Sequence, residues 1–247
     1  MSKKKYEKNK VNYVRRLTGR MYNSVERKKE IEGLEFVKKY NGNIILSYDE
    51  IENITKTARP WYYWKAIDLL TLLEQHKPKH LVELGSGRTT AVFAAYAAKH
   101  GAKLTVFEQD ERWISAVKSA VRHVTDDPLD IRKIDCREVE NGGRFDEDIP
   151  ASADFIYVDA PSVPKTRVFE STTGKPIAFD SIDFIKAGHR PLLIVVDGRT
   201  CTVDELLDLP EIRDGYTFKG EVSWAQERAK LFASLQMNRH SVFLRKG

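Results

Sequence analysis

Only two of the 247 residues are cysteine, Cys136 and Cys201, and they lack metal-ligand spacing. That argues against a disulfide scaffold or a cysteine-based zinc centre, and a reducing cytoplasm is the expected compartment. No apolar run approaches the ~20 residues needed to cross a bilayer. The basic N-terminus, MSKKKYEKNK, is not followed by the apolar stretch of a secretion signal. The six histidines show no spacing that picks one out as a base. The body of the chain also lacks positive charge. Residues 1–30 hold 11 Lys or Arg against 3 Asp or Glu, a net of +8, and the remainder holds 30 against 33, a net of −3. A basic nucleic-acid surface on the main body is not expected, and no DNA partner is expected.

What the chain does have begins with that basic arm. Val11, Val14, Leu17, Met21 and Val25 fall three or four apart on one helical face, with Arg15, Arg16 and Arg20 mostly off it. Docking on the protein's own body or a solvated arm is the expected role, with RNA or an anionic membrane surface as the alternatives, the latter making the protein peripheral to the membrane. Residues 31–59 read as a linker with small helices, in which Ser47 and Glu50 suggest a capping box. We therefore divide the chain into an extension, 1–59, and a main domain, 60–247. Pro60 opens a helix whose polar positions Lys65, Asp68, Thr71 and Gln75 predict a narrow wet stripe. Trp61, Tyr62, Tyr63 and Trp64 are expected to pack over a sheet.

The stretch from His80 to Gly101 reads as strand, glycine turn and helix. Leu81, Val82 and Leu84 surround Glu83, and Gly85 and Gly87 follow. Glycines allow a sharp turn and a close approach of backbone to ligand, and a helix start offers free N–H groups. Glu83 would repel a phosphate but hold an ammonium or hydroxyl. A dinucleotide-type turn and a purely structural turn remain the alternatives on this stretch alone.

In Glu83-Leu84-Gly85-Ser86-Gly87 the chain resembles the class I S-adenosylmethionine (SAM) methyltransferases, whose first motif is acid-x-Gly-x-Gly. Thr89 stands where a third glycine is frequent. A second strand, Lys103 to Phe107, ends in Glu108, Gln109 and Asp110. A carboxylate at Glu108 can accept hydrogen bonds from both ribose hydroxyls, as the matching acid of the family does, while Asp110 suits a helix cap. A third strand ends at Asp135 and Cys136, where the resemblance implies a contact to the adenine amino group. A fourth, Ala153 to Val158, ends at Asp159. The resemblance implies an α/β fold with a seven-stranded, mostly parallel Rossmann-like sheet in the order 3-2-1-4-5-7-6, flanked by helices and preceded by the helical extension. It implies SAM contacts from Glu83, Gly85, Ser86, Gly87, Thr89, Glu108, Gln109, Asp135, Cys136 and Asp159.

On the acceptor side, Asp159 is followed by Ala160, Pro161 and Ser162. The Asn/Asp-Pro-Pro-aromatic signature of amino methylation is thus absent. Asp159 is the candidate catalytic residue, as a base or as an acceptor-orienting group. The long polar stretch after it reads as a substrate loop in which Lys165 and Arg167 are candidate contacts to an acidic or phosphorylated acceptor. Asp159 and Asp197 end neighbouring strands, where metal-dependent catechol-type relatives hold a cation. Those enzymes usually add an Asn where this chain has Gly198, so a divalent metal is not favoured. The expected activity is SAM-dependent methylation of a hydroxyl on a small molecule or glycan. RNA methylation anchored by the basic arm, and a non-catalytic scaffold with the same fold, are the alternatives.

Overall fold

The computed structural model describes residues 28, 30–56, 63–139, 142–161, 176–221 and 240–247. The basic arm up to residue 27, the aromatic pair Trp61 and Tyr62, and the loop residues Lys165 and Arg167 lie outside them.

Two helices come first, α1 over residues 30–41 and α2 (Asn43–Thr55). The expected capping box is not an N-terminus, because α2 runs straight through Ser47. The Ser47 hydroxyl instead bonds back to Asn43 O at 3.1 Å and across to Ala120 O at 2.7 Å. After α3 (Tyr63–His76) the chain enters β1 (His80–Leu84), α4 (Arg88–His100), β2 (Lys103–Glu108) and α5 (Glu111–Ala120). There follow β3 (Asp130–Lys133), β4 (Cys136–Val139), β5 (Gly142–Phe145), β6 (Phe155–Val158), β7 (Ile177–Ala178) and α6 (Phe179–Lys186). The chain closes with β8 (Leu193–Asp197), α7 (Thr200–Asp208), α8 (Pro210–Gly215), β9 (Tyr216–Glu221) and β10 (His240–Arg245).

Seven strands form one sheet in the order β3-β2-β1-β6-β8-β10-β9. Counted within that sheet, this is the expected 3-2-1-4-5-7-6. All neighbours are parallel except β10, which is antiparallel to both β8 and β9. Alternation along the strands divides the core. Leu81, Val106, Phe155, Tyr157, Val195 and Val242 share one cluster with residues of α2, α3, α4 and α5. Val82, Leu84, Phe107, Ile156, Val158, Val196 and Phe243 share another with α6, α7 and α8. Every residue from Thr90 to Ala97 of α4 is buried, and its four alanines there let the helix lie close to the sheet.

Besides the expected sheet there is a second one of three strands, β4-β5-β7. Its middle strand begins with Gly142 and Gly143, a pair that composition alone would assign to a turn. In the structure Gly142 serves close approach, since a Cβ there would lie 2.1 Å from Ile177 O. Thr202 is buried within α7 and accepts the Ala178 N–H at 3.0 Å.

Candidate cofactor and acceptor site

The carboxyl ends of β1, β2, β6 and β8 converge on one rim, and the β1–α4 turn lies at its centre. Gly85 adopts φ +94°, and its N–H donates to Phe107 O at 2.8 Å. The N–H groups of Asp159 and Ala160 both donate to Leu84 O, at 2.9 and 2.8 Å, so the β6 loop lies directly over the turn. A Cβ on Gly85 would fall 2.7 Å from Ala160 Cβ. Position 85 therefore demands glycine twice, for its backbone angle and for its neighbour. A Cβ on Gly87 would meet nothing nearer than Trp113 Cζ3 at 4.0 Å, so there is open space beside this part of the turn.

Glu83 is fully buried beneath the turn. Thr89 Oγ1 donates to its Oε1 at 2.5 Å and Thr90 Oγ1 to its Oε2 at 2.6 Å. Burial pushes this carboxyl up to about 8, against the lowering effect of the two hydroxyls. With both oxygens engaged by α4, Glu83 secures the start of that helix instead of presenting a bare carboxylate. Thr90 also accepts the Gly87 N–H at 3.0 Å, which links buried acid and turn in one chain of bonds.

Glu108 reaches back from the end of β2 to the same turn. Its Oε2 accepts Ser86 N at 2.7 Å and Ser86 Oγ at 3.0 Å, while its Oε1 accepts Gln109 N at 2.7 Å and Asp110 N at 2.8 Å. Four donors fill the roughly four acceptor positions of a carboxylate. The Ser86 hydroxyl is the one among them that can rotate away. Asp110 caps α5 as expected, by accepting Arg112 N at 2.8 Å.

The structure thus brings Glu83, Gly85, Ser86, Gly87, Thr89, Glu108, Gln109 and Asp159 around one turn. Asp135 and Cys136 lie past the end of β3, where Ile134 N donates to Glu108 O at 3.0 Å. Asp135 is exposed, and the half-buried Cys136 thiol is pushed up to about 11 by burial, so it is not poised as a nucleophile.

Four residues of the rim escaped the sequence reading. Lys65, assigned to a wet stripe, is buried, and its Nζ meets Asp197 Oδ2 at 2.6 Å. Tyr157 OH donates to the same oxygen at 3.0 Å, and His240 Nε2 lies 3.3 Å from that hydroxyl. Burial lowers the fully enclosed His240 to about 4, so it is neutral at pH 7. Arg199 is also buried, and its guanidinium donates to Pro176 O at 2.9 Å and to Asp159 O. Lys65 carries no spacing signal that separates it from Asp68, which is half-buried in the same helix. Among the described residues no three His, Cys, Asp or Glu side chains are grouped to hold a metal ion. Asp197, the second acid of the metal-dependent pattern, is engaged by an ammonium and a phenol, and this donor set does not fit a divalent cation.

No protein-family profile matches the chain, and no curated protein matches it in sequence. Solved structures do match. An O-methyltransferase of Bacillus cereus in complex with SAH is 11% identical, with a TM-score of 0.54, over 86% of this chain and 96% of that one. The O-methyltransferase TomG of Streptomyces achromogenes, involved in tomaymycin synthesis and solved with SAM, is also 11% identical, with a TM-score of 0.53 over 90% and 99%. In fold and strand order the chain thus shares the Rossmann-like architecture of these solved O-methyltransferases.

Proposed function

We propose that the chain is a SAM-dependent methyltransferase acting on a hydroxyl of a small molecule or glycan. The observation that carries this reading is the glycine turn beyond β1 tied through Ser86 to Glu108 at the end of β2. Ligands of open α/β sheets sit beyond such strand ends. The two solved structures with the same fold, which hold SAH and SAM, support the choice of ligand. Gly85 and Gly87 keep side chains out of the turn, and Glu108 offers a carboxylate suited to a ribose once the Ser86 hydroxyl turns away. Gln109, Asp135 and Cys136 are proposed as further cofactor contacts, Asp135 toward the adenine. The cofactor supplies an electrophilic methyl group on its sulfonium.

What this chain must add is alignment of the acceptor and removal of its proton. Asp159, half-buried on the β6 loop, is the group proposed to orient the hydroxyl and take the proton at its carboxylate. Arg199 holds the backbone of Asp159 in place. Lys165 and Arg167 are proposed as contacts to an anionic acceptor.

Titration calorimetry with SAM and with SAH tests the reading. The intact protein is expected to bind both, and Glu108→Ala to lose most of that affinity. Absence of binding by the intact protein would defeat the enzymatic reading. Incubation with methyl-labelled SAM and a panel of hydroxylated small molecules and glycans then identifies the acceptor.

A further inference from the structure

Asp159 follows β6 and Asp197 ends the neighbouring parallel strand β8, and Val158 pairs with Val196 between them. Two carboxylates leaving adjacent strand ends concentrate negative charge on a partly dry rim, the arrangement that ordinarily recruits a divalent cation. Here positive charge is already built in, from Arg199, which bonds the backbone of Asp159, and from a lysine beside Asp197. Lys65, from the first turns of α3, places Nζ 2.6 Å from Asp197 Oδ2, and both side chains are only 6% exposed. Its partner oxygen also accepts from Tyr157, whose ring meets that of His240 edge to face. The neighbouring positions are apolar or aromatic. Trp64 lies beside Lys65 with its ring centroid 5.9 Å from Nζ, and its ring is 6.3 Å from that of His240. A buried ammonium is costly unless it is paired, and Asp197, 132 residues further along the chain, supplies that pairing.

We propose that Lys65 is the resident cation of Asp197, as Arg199 is the cation beside the Asp159 backbone. Lys65 neutralises Asp197 and occupies the place beside it, so that Asp197 serves as a fixed anchor for α3 and does not ligate a metal ion. Lys65 is on this view a positioning residue. It sets the electrostatic balance of the wall next to Asp159 without touching the transferred group. The inference concerns the cation alone and stands or falls separately from the cofactor assignment.

The full-length protein, dialysed against EDTA, is titrated with Mn²⁺ while free ion is followed by electron paramagnetic resonance and unfolding by thermal melting. The wild type is expected to leave the free Mn²⁺ signal undiminished at equimolar metal and its melting temperature unchanged. Lys65→Ala, which clears the place beside Asp197, is expected to melt lower and to recover part of the loss with Mn²⁺ or with ethylammonium. Asp197→Asn added to Lys65→Ala should abolish that recovery. Stoichiometric Mn²⁺ binding by the wild type that Asp197→Asn removes would overturn the proposal. So would a Lys65→Ala protein whose melting responds to neither cation. Should Lys65→Ala fail to fold, the wild-type and Asp197→Asn titrations still decide the matter.

Discussion

Ser86 gives both its backbone N–H and its hydroxyl to a single oxygen of Glu108. The bond ties the glycine turn of β1 to the end of β2, so the acid at position 108 has two tasks. It fixes the loop, and it offers an acceptor once the Ser86 hydroxyl turns away. Hydrogen bonds to a charged group contribute about 1.5–3 kcal/mol each. Glu108→Ala is therefore expected to weaken SAM binding by roughly 10- to 150-fold or more by calorimetry. Ser86→Ala, which removes only the competing hydroxyl, should change affinity by less than about 10-fold. Equal losses in both variants would mean that Glu108 acts through the loop alone.

Glu83 makes stability depend on pH. Burial raises its carboxyl from 4.5 to about 8, so the folded protein keeps a proton that the unfolded chain releases. The stabilisation is complete below about pH 4.5 and is lost as pH rises through 8. Asp180, raised by burial from 3.8 to about 7, acts in the same direction at lower pH. His240, lowered by burial from 6.5 to about 4, acts oppositely, its contribution being present above 6.5 and lost as pH falls through 4. Between pH 7 and 8 Glu83 dominates these three, and urea-unfolding free energy should decline there by up to about 1.4 kcal/mol per unit. Glu83→Gln should flatten that decline. A slope that survives the substitution would assign it to another group.

The large sheet was legible because each of its central strands ends in an acid or a glycine turn. Val82-Glu83-Leu84-Gly85 and Phe107-Glu108 mark both the strand ends and the rim at once. The small sheet was not legible, since Gly142 serves a close backbone approach that composition cannot tell from a turn. Lys65 was misread because a helical stripe records angular position and not what lies opposite. Its partner is on β8, and only the folded topology brings the two together. Glu83 was legible as unusual, but its engagement by Thr89 and Thr90 follows from the helix start folding back over the strand.

Two glycines separate backbone strain from steric contact. Gly85 and Gly101 both have positive φ, +94° and +64°. A Cβ on Gly101 meets nothing within 4 Å, whereas one on Gly85 would lie 2.7 Å from Ala160 Cβ and 3.1 Å from Ala160 N. Gly101→Ala should thus cost about 1–2 kcal/mol, the strain of a left-handed residue. Gly85→Ala should cost about 2–4 kcal/mol, because overpacking adds to strain. Chemical denaturation measures both. Gly85→Ala should also weaken SAM binding by displacing the Asp159 loop, and Gly101→Ala should leave it unchanged.

Arg199 spans two carbonyls that no lysine can bridge in the same way. Its Nη1 donates to Pro176 O and its Nη2 to Asp159 O, and Asp159, Asp197 and Asp180 all surround it with negative charge. The planar fork of a guanidinium fixes the distance between the two carbonyls, while an ammonium is a point donor on a flexible stem. Arg199→Met would leave both carbonyls without that donor in a buried setting, at about 1–3 kcal/mol for each unsatisfied group. A total loss of about 2–4 kcal/mol is expected from urea unfolding with an unchanged m-value. Arg199→Lys should lose less, because the charge is kept and one carbonyl remains bonded. It should still move Asp159, so that once an acceptor is known its turnover falls while SAM affinity stays within a few-fold of wild type. Wild-type stability in Arg199→Met would show that water satisfies both carbonyls and that Arg199 does not position Asp159.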